Sequence, residues 1–172
     1  MRVATVRTAA NVAIQIALLA LIAAAFFLRT PQVSGFSMEP RIHPGEFVLI
    51  NTFAYRVGPI ARGEIVAFRH ESRTGGEAQQ YIKRIIAIPG DRVKIDRGTV
   101  RLNGAPLNEV YVAFRDTRSY PEVTIPAGAI YVLGDNRANS DDSRDWGFVP
   151  QSEVIGRAVL GIWPLRPLGW RS

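Results

Sequence analysis

Apolar residues crowd the first thirty positions of the chain and then change rhythm. Between Arg7 and Arg29 the stretch TAANVAIQIALLALIAAAFFL is interrupted only by Thr8, Asn11 and Gln15. At about 1.5 Å per residue, ~20 helical residues span roughly 30 Å of hydrocarbon, so this stretch predicts one transmembrane helix. It lacks the polar face that a helix packed on the surface of a core would keep. Arg2 and Arg7 precede it without an acidic residue, which puts the N-terminus on the cytoplasmic side, Arg29 being the weaker opposing charge. A removable leader would share the basic start and apolar centre. Here the run closes on FFLRTP without a small-x-small cleavage site, which favours an uncleaved anchor.

After Pro31 the pattern shortens to strand-like runs punctuated by Gly and Pro: EFVLINTF, GEIVAFRH, QYIKRIIAI, DRVKI, GTVRLNG, AIYVLG and EVIGRAVLGIW. Such runs predict a mainly β domain of antiparallel strands. The organisation read from the chain is therefore residues 1–30 as cytoplasmic N-terminus and anchor, and residues 31–172 as an extracytoplasmic β-domain. RGTVRLNGAPL predicts a hairpin turning near Asn103-Gly104, and HESRTGGEAQQ an exposed connection. Residues 98–128, rich in turn formers, read as a small β insertion.

Charge changes this picture only in part. The net charge of +6 permits nucleic-acid binding, but the basic residues are scattered singly and form no stripe with interleaved aromatics, so no nucleic-acid partner is expected. The same charges suit anionic lipid headgroups beside the first thirty residues. The chain has no cysteine, which removes disulfides, thiolate metal sites and a cysteine nucleophile together. Among 21 Lys plus Arg, only Lys83 and Lys94 are lysine. Arginine cannot lose its proton in a protein whereas lysine can, so a lysine at position 83 asks for a reason.

Nucleophilic catalysis needs a hydroxyl activated by a base. His43, in the turn-like RIHPGE, and His70, at a strand end beside Glu71, are better explained as solvated or strand-end residues. Lys83 lies in YIKRIIAIPGD, with Tyr81, Ile85 and Ala87 expected on its own face and Ile82, Ile86 and Ile88 on the other. Desolvation there penalises the charged amine and prepares it to act as a general base. A snorkelling lysine, or one paired with a carboxylate, is the competing reading. Ser37 stands in SGFSMEPRIHPGE, where Gly35 leaves room for close backbone approach and Pro40 bends the chain; taken alone it is a serine in a turn. The loop GDNRANSDDSRDWG reads either as a surface turn capped by Asn and Asp or as a calcium loop. Arg137 and Ser140 stand where an EF-hand needs Asp or Asn and glycine, so no metal is expected.

SGFSMEP, RGEIVAF, YIKRIIAIPGD and GDNRANSDDSRDWGFVP, in that order after an apolar anchor, resemble type I signal peptidases over nearly the whole chain. These are membrane-anchored serine proteases with a Ser/Lys dyad that remove signal peptides from exported precursors. The resemblance implies Ser37 as nucleophile and Lys83 as general base. It further implies Ser140 as the hydrogen-bond partner orienting the lysine amine, with Asp142 and Arg144 in support. The backbone N–H of Ser37 would serve the oxyanion. Some relatives add a serine hydroxyl where this chain has Gly35, which leaves Ser34 as a weak substitute donor. Arg41 and Ala138 also depart from the family pattern.

By the same resemblance Val33, Gly35, Phe36, Met38, Tyr81 and Ile82 line the substrate cleft, whose pockets accept the small side chains of an A-x-A site. The substrate is expected as an added strand between the segment before Ser37 and the strand of Lys83. Expected partners are precursor proteins and the lipid bilayer of a bacterial plasma membrane, with no cofactor. Trp163 and Trp170 are candidates for the lipid interface or for core packing. The rival readings are an inactive membrane-anchored binding module and a mitochondrial inner-membrane peptidase.

Overall fold

The computed structural model describes residues 2–71, 78–162 and 165–167, the side chains of 2–10, 23, 24 and 165–167 excepted. Trp163, Trp170 and the centre of the HESRTGGEAQQ connection lie outside the described residues.

The apolar N-terminal stretch forms α1 (Arg2–Phe27), which runs directly into β1 (Leu28–Arg29). Then follow β2 (Val48–Asn51), α2 (Ala54–Val57), β3 (Ile65–His70), β4 (Gln79–Ala87), β5 (Arg92–Asp96), β6 (Thr99–Leu102), β7 (Ala105–Pro106), β8 (Tyr120–Thr124) and β9 (Ala129–Leu133). The chain closes with α3 (Ser143–Trp146), β10 (Val149–Pro150), β11 (Val154–Ile162) and β12 (Leu165–Pro167). Every strand pairing is antiparallel, as the alternating runs predict.

Along α1 the described apolar side chains find little protein to cover them: Ile16 is 62% exposed, Leu21 67% and Phe26 71%. Among the described residues no helix is long and apolar enough to cross a membrane. The continuous run of described side chains in α1, residues 11–22, is shorter than the ~20 residues a bilayer needs. The foot of α1 is fastened to the sheet. Leu28 and Arg29 pair with Asn51 and Ile50, and Thr52 donates to the Phe27 carbonyl through both its N–H and its hydroxyl.

The larger sheet has the order β1-β2-β11-β3-β4-β9-β10, with β12 on the free side of β11. Both faces of its centre are covered, which explains the unbroken apolar run of β3. Ile65 and Ala67 pack with Val33, Met38, Ile42 and Val48, while Val66 and Phe68 pack with Ile85, Ile130 and Val132 on the other side.

The smaller sheet, β7-β6-β5-β8, is the expected insertion, but it begins at Arg92 rather than at 98 because β5 supplies its central strand. Asn103 and Gly104, both at positive φ, make the predicted hairpin turn, and Arg97 and Gly98 make a second of the same kind. β8 had no counterpart among the predicted strands, since Pro121 weakens its strand signal. The two sheets share a core of Ile86, Val93, Ile95, Val100, Ile125 and Leu133.

The alternation expected along β4 holds only as far as Ile85. A register shift between Ile85 and Ala87 places Ile86 and Ala87 together in the inter-sheet core and returns Ile88 to the side of Tyr81 and Ile85. Ala87 therefore does not share the face of Lys83, and Ile86 and Ile88 part company.

Candidate active site

Ser37 sits in a tight turn, with the exposed Phe36 before it and the buried Met38 after it. Arg41 and Ile42 both donate backbone N–H bonds to the Met38 carbonyl, at 3.0 Å each, and Met38 and Ile42 are sunk in the core. The turn is clipped from the other side by Asn136. Its N–H donates to the Ser37 carbonyl at 3.0 Å and its side-chain amide donates to the Phe36 carbonyl at 3.2 Å. Among the described residues the Ser37 N–H has no backbone acceptor, as an oxyanion donor requires.

Lys83 reaches this turn from β4, where it lies opposite Val66 in the register. Its Nζ is 2.5 Å from Ser37 Oγ. The side chain is 3% exposed, and burial pulls its pKa from 10.5 down to about 8, with Asp142 and Asp141 opposing the shift. The lysine is therefore neither snorkelling nor held by a carboxylate.

The loop after β9 completes the surroundings. Asp142 caps α3 and accepts from the N–H groups of Arg144 and Gly134. Arg144 grips Asp142 with two nitrogens, both at 2.8 Å, and also reaches the Asp116 carboxylate and the Arg137 carbonyl. Its guanidinium pKa is raised, because these carboxylate bonds outweigh the opposing effect of burial. Gly134 lets the parts meet: a Cβ there would collide with the Ser140 side chain and stand 2.5 Å from the Ser37 carbonyl oxygen.

Ser140 differs from its expected role. Its hydroxyl is buried with no hydrogen-bond partner among the described residues, so the bond to the lysine amine is not formed here. It does share the lining of one cleft with Lys83 and Ser37. His43 bonds Glu39 at 3.2 Å and His70 bonds Glu153 at 2.7 Å, and neither has Ser37 as its partner.

The cleft has a volume of about 570 Å³ and brings together Val33, Gly35, Phe36, Met38, Tyr81 and Ile82, every residue expected to line it. A Cβ at Gly35 would meet nothing within 4 Å, so the space there opens to the cleft and not onto another part of the chain. One wall is a sheet edge. β4 pairs with β3 from Gln79 to Arg84 but meets β9 only from Arg84 onward, so among the described residues the second edge of 79–83 has no strand partner. An extended peptide fits such an edge by strand addition.

The support of Arg84 and Asp135 was not apparent from the sequence. Their side chains are fully buried and paired by two bonds of 2.8 and 2.6 Å, and Arg84 also donates to the Gly63 carbonyl. Arg137 forms a second buried pair with Glu109 and donates to the Gly134 carbonyl. The available signal was position alone: Arg84 follows Lys83, and Asp135, Asn136 and Arg137 stand inside the GDNRANSDDSRDWG motif.

Residues 6–163 match the family described as signal peptidase, peptidase S26. A probable signal peptidase I-2 of Synechocystis is 40% identical over 135 residues, covering 77% of this chain and 62% of that protein. The chain thus spans less than two thirds of that relative's length. A signal peptidase I of Leptolyngbya laminosa is 37% identical over 139 residues, covering 77% of this chain and 68% of the relative. The crystal structure of a signal peptidase I from Enterococcus faecalis is similar with a TM-score of 0.52 and 33% identity, over 60% of this chain and 99% of that one.

Proposed function

Because this chain belongs to the signal peptidase, peptidase S26 family, we propose that it is a serine endopeptidase that removes signal peptides from exported precursor proteins, using Ser37 and Lys83 as its dyad. The observation that carries the reading is the buried Lys83 amine 2.5 Å from Ser37 Oγ, with its pKa drawn down to about 8. At pH 7 roughly one such amine in ten is neutral, against fewer than one in a thousand for an exposed lysine.

The neutral amine accepts the Ser37 proton as Oγ attacks the scissile carbonyl. The Ser37 N–H stabilises the oxyanion. The lysine then returns the proton to the leaving amine, and a water deprotonated by Lys83 hydrolyses the acyl-enzyme. Asp142 and Arg144 hold in place the loop that carries Ser140, a loop that shares the lining of the cleft with the dyad. Val33, Met38, Tyr81 and Ile82 form the apolar surface that accepts small residues before the cut, as an A-x-A site presents them.

α1 serves as the membrane anchor, with the N-terminus inside and the β-domain outside. Its exposed apolar side chains, the basic residues Arg2 and Arg7 in its first turns and the bacterial sources of the relatives support this topology. The nucleophile then stands eight residues after Arg29, close to the membrane surface where a cleavage site emerges.

The test is cleavage of a purified precursor in detergent by wild type, Ser37→Ala, Lys83→Ala and Lys83→Arg, with the new N-terminus identified. Cutting after a small-x-small site by wild type alone is expected. Cleavage by Lys83→Arg would sink the general-base role, since arginine keeps its proton, and a folded wild type that binds precursor without cutting it would favour a binding module.

A further inference from the structure

Under the peptidase reading the Phe36–Ser37 peptide supplies an N–H to the developing oxyanion, yet the chain before Ser37 gives that peptide little support. Phe36 is 55% exposed, and the space beside Gly35 is open, with nothing within 4 Å of where a Cβ would stand. The peptide is held by its carbonyl instead. The Phe36 oxygen accepts from the Glu39 N–H at 3.1 Å, a bond within the turn, and from the Asn136 side-chain amide at 3.2 Å, a bond from the loop after β9.

Asn136 is itself fixed. It is buried, and its Oδ1 accepts from the Asn139 N–H at 3.1 Å, which leaves the amide nitrogen to face the Phe36 carbonyl. Its neighbours Asp135 and Arg137 are each tied into a buried ion pair, with Arg84 and with Glu109. Because the Asn136 N–H also donates to the Ser37 carbonyl, one residue holds two consecutive carbonyls of the nucleophile turn. Asn136 does not line the cleft that Ser37, Lys83 and Ser140 share, so it does not touch a substrate docked there.

A planar trans peptide sends its C=O and its N–H in opposite directions, so a clamp on the Phe36 oxygen sets the direction of the Ser37 N–H. Two donors on that oxygen also polarise the amide and strengthen its N–H as a donor. We infer that Asn136 is a positioning residue for the oxyanion: its side-chain amide, acting through the Phe36 carbonyl, holds the Ser37 N–H toward the substrate oxygen that becomes negative, an inference that rests on the peptidase reading. The Glu39 bond belongs to the same turn and moves with it, whereas Asn136 ties the peptide to a loop anchored elsewhere.

Asn136→Ala and Asn136→Leu both remove the side-chain bonds and keep the backbone bond to Ser37, and leucine also keeps the size. The Phe36 oxygen and the Asn139 N–H each retain a second partner, the Glu39 N–H and the Asn136 carbonyl, so neither is left unsatisfied. In the full chain in detergent, both variants are expected to lose about 30-fold in kcat with KM within about threefold of wild type, less than the ~100–1,000-fold that outright loss of an oxyanion donor costs. A peptide aldehyde is the sharper probe, because Ser37 Oγ adds to its carbonyl carbon and its oxygen then sits where the oxyanion forms. It should bind both variants about 30-fold more weakly, while the matching peptide amide, which stays planar, binds as it does to wild type. The inflection of kcat/KM near pH 8 should stay in place. Wild-type kcat in Asn136→Leu, or a loss of affinity shared equally by aldehyde and amide, overturns the assignment. A displaced inflection assigns the effect to Lys83 and overturns it as well. Where Asn136→Ala does not fold, the leucine variant decides. A wild type that cuts no precursor peptide defeats the peptidase reading itself, whereas variants that match a wild type able to cut defeat only the role of Asn136.

Discussion

Lys83 carries a conflict between stability and activity. Its burial lowers the amine pKa to about 8, so below that pH the folded chain holds a charge that the unfolded chain would keep in water. The cost is fully present below about pH 8 and is relieved as pH rises towards 10.5, where the unfolded chain also loses its proton. Lys83→Met should therefore abolish cleavage while raising stability at pH 7 by on the order of 3 kcal/mol, an advantage that shrinks between pH 8 and 10.5. Denaturant melts at pH 7 and 10 measure this; equal differences at both would refute the charged-amine penalty. Wild-type kcat/KM should rise with pH to a plateau, with its inflection near 8. Gly134 makes the complementary case, because the cost there is steric. Gly134→Ala should lower stability and lose at least ~100-fold in kcat by pushing the Ser140 and Ser37 segments apart. A near-normal kcat would show that this close approach is dispensable. The proximity of Ser37 and Lys83 and the residues of the cleft followed from the resemblance, and Lys83, one of only two lysines in an arginine-rich chain, also asked for a chemical explanation. The importance of Gly134 was not legible, because it arises from a tertiary approach that no local pattern encodes.

β4 is where a strand changes its partner and its purpose. Its first half, beside Ser37, pairs among the described residues with β3 alone; its second half is locked between β3 and β9. Arg84 marks the change with a guanidinium forked onto Asp135 and stacked 4.0 Å from the Tyr111 ring. Arg84→Ala would leave the Asp135 carboxylate buried without its partner and should destabilise the chain by ~3–5 kcal/mol. Arg84→Lys should recover only part of this, since an ammonium cannot reproduce the fork. A shift in unfolding free energy below ~1 kcal/mol for Arg84→Ala would mean that the pair is replaceable by water. At this scale the sequence was informative where alternation held and silent where it broke. The seven predicted runs all contain strands. The register shift after Ile85 escaped because two adjacent apolar residues look the same whichever core they enter, and β8 escaped because proline discounts a strand.

The molecule as a whole joins one exposed helix to a β-domain through a narrow foot. The ties described between them are the β1–β2 pairing, the two bonds to the Phe27 carbonyl and the contact of Phe27 with Phe53 at 4.8 Å. The β-domain draws its stability from elsewhere: three apolar cores and the arginine pairs Arg62–Asp91, Arg137–Glu109 and Arg144–Asp116, which bind the small sheet and its flanking loops to the large one. Fold and site therefore separate from α1 energetically. A chain lacking residues 2–26 should melt within a few degrees of the full chain and cleave a short soluble peptide at a similar kcat/KM. It should cut a bilayer-inserted precursor at least ~10-fold more slowly, because the shared membrane no longer raises the local concentration of enzyme and substrate. Membrane fractionation of both forms, followed by the two cleavage assays, checks this. Equal rates on the inserted precursor would mean that the β-domain finds its substrate unaided and that α1 has a purpose other than anchoring.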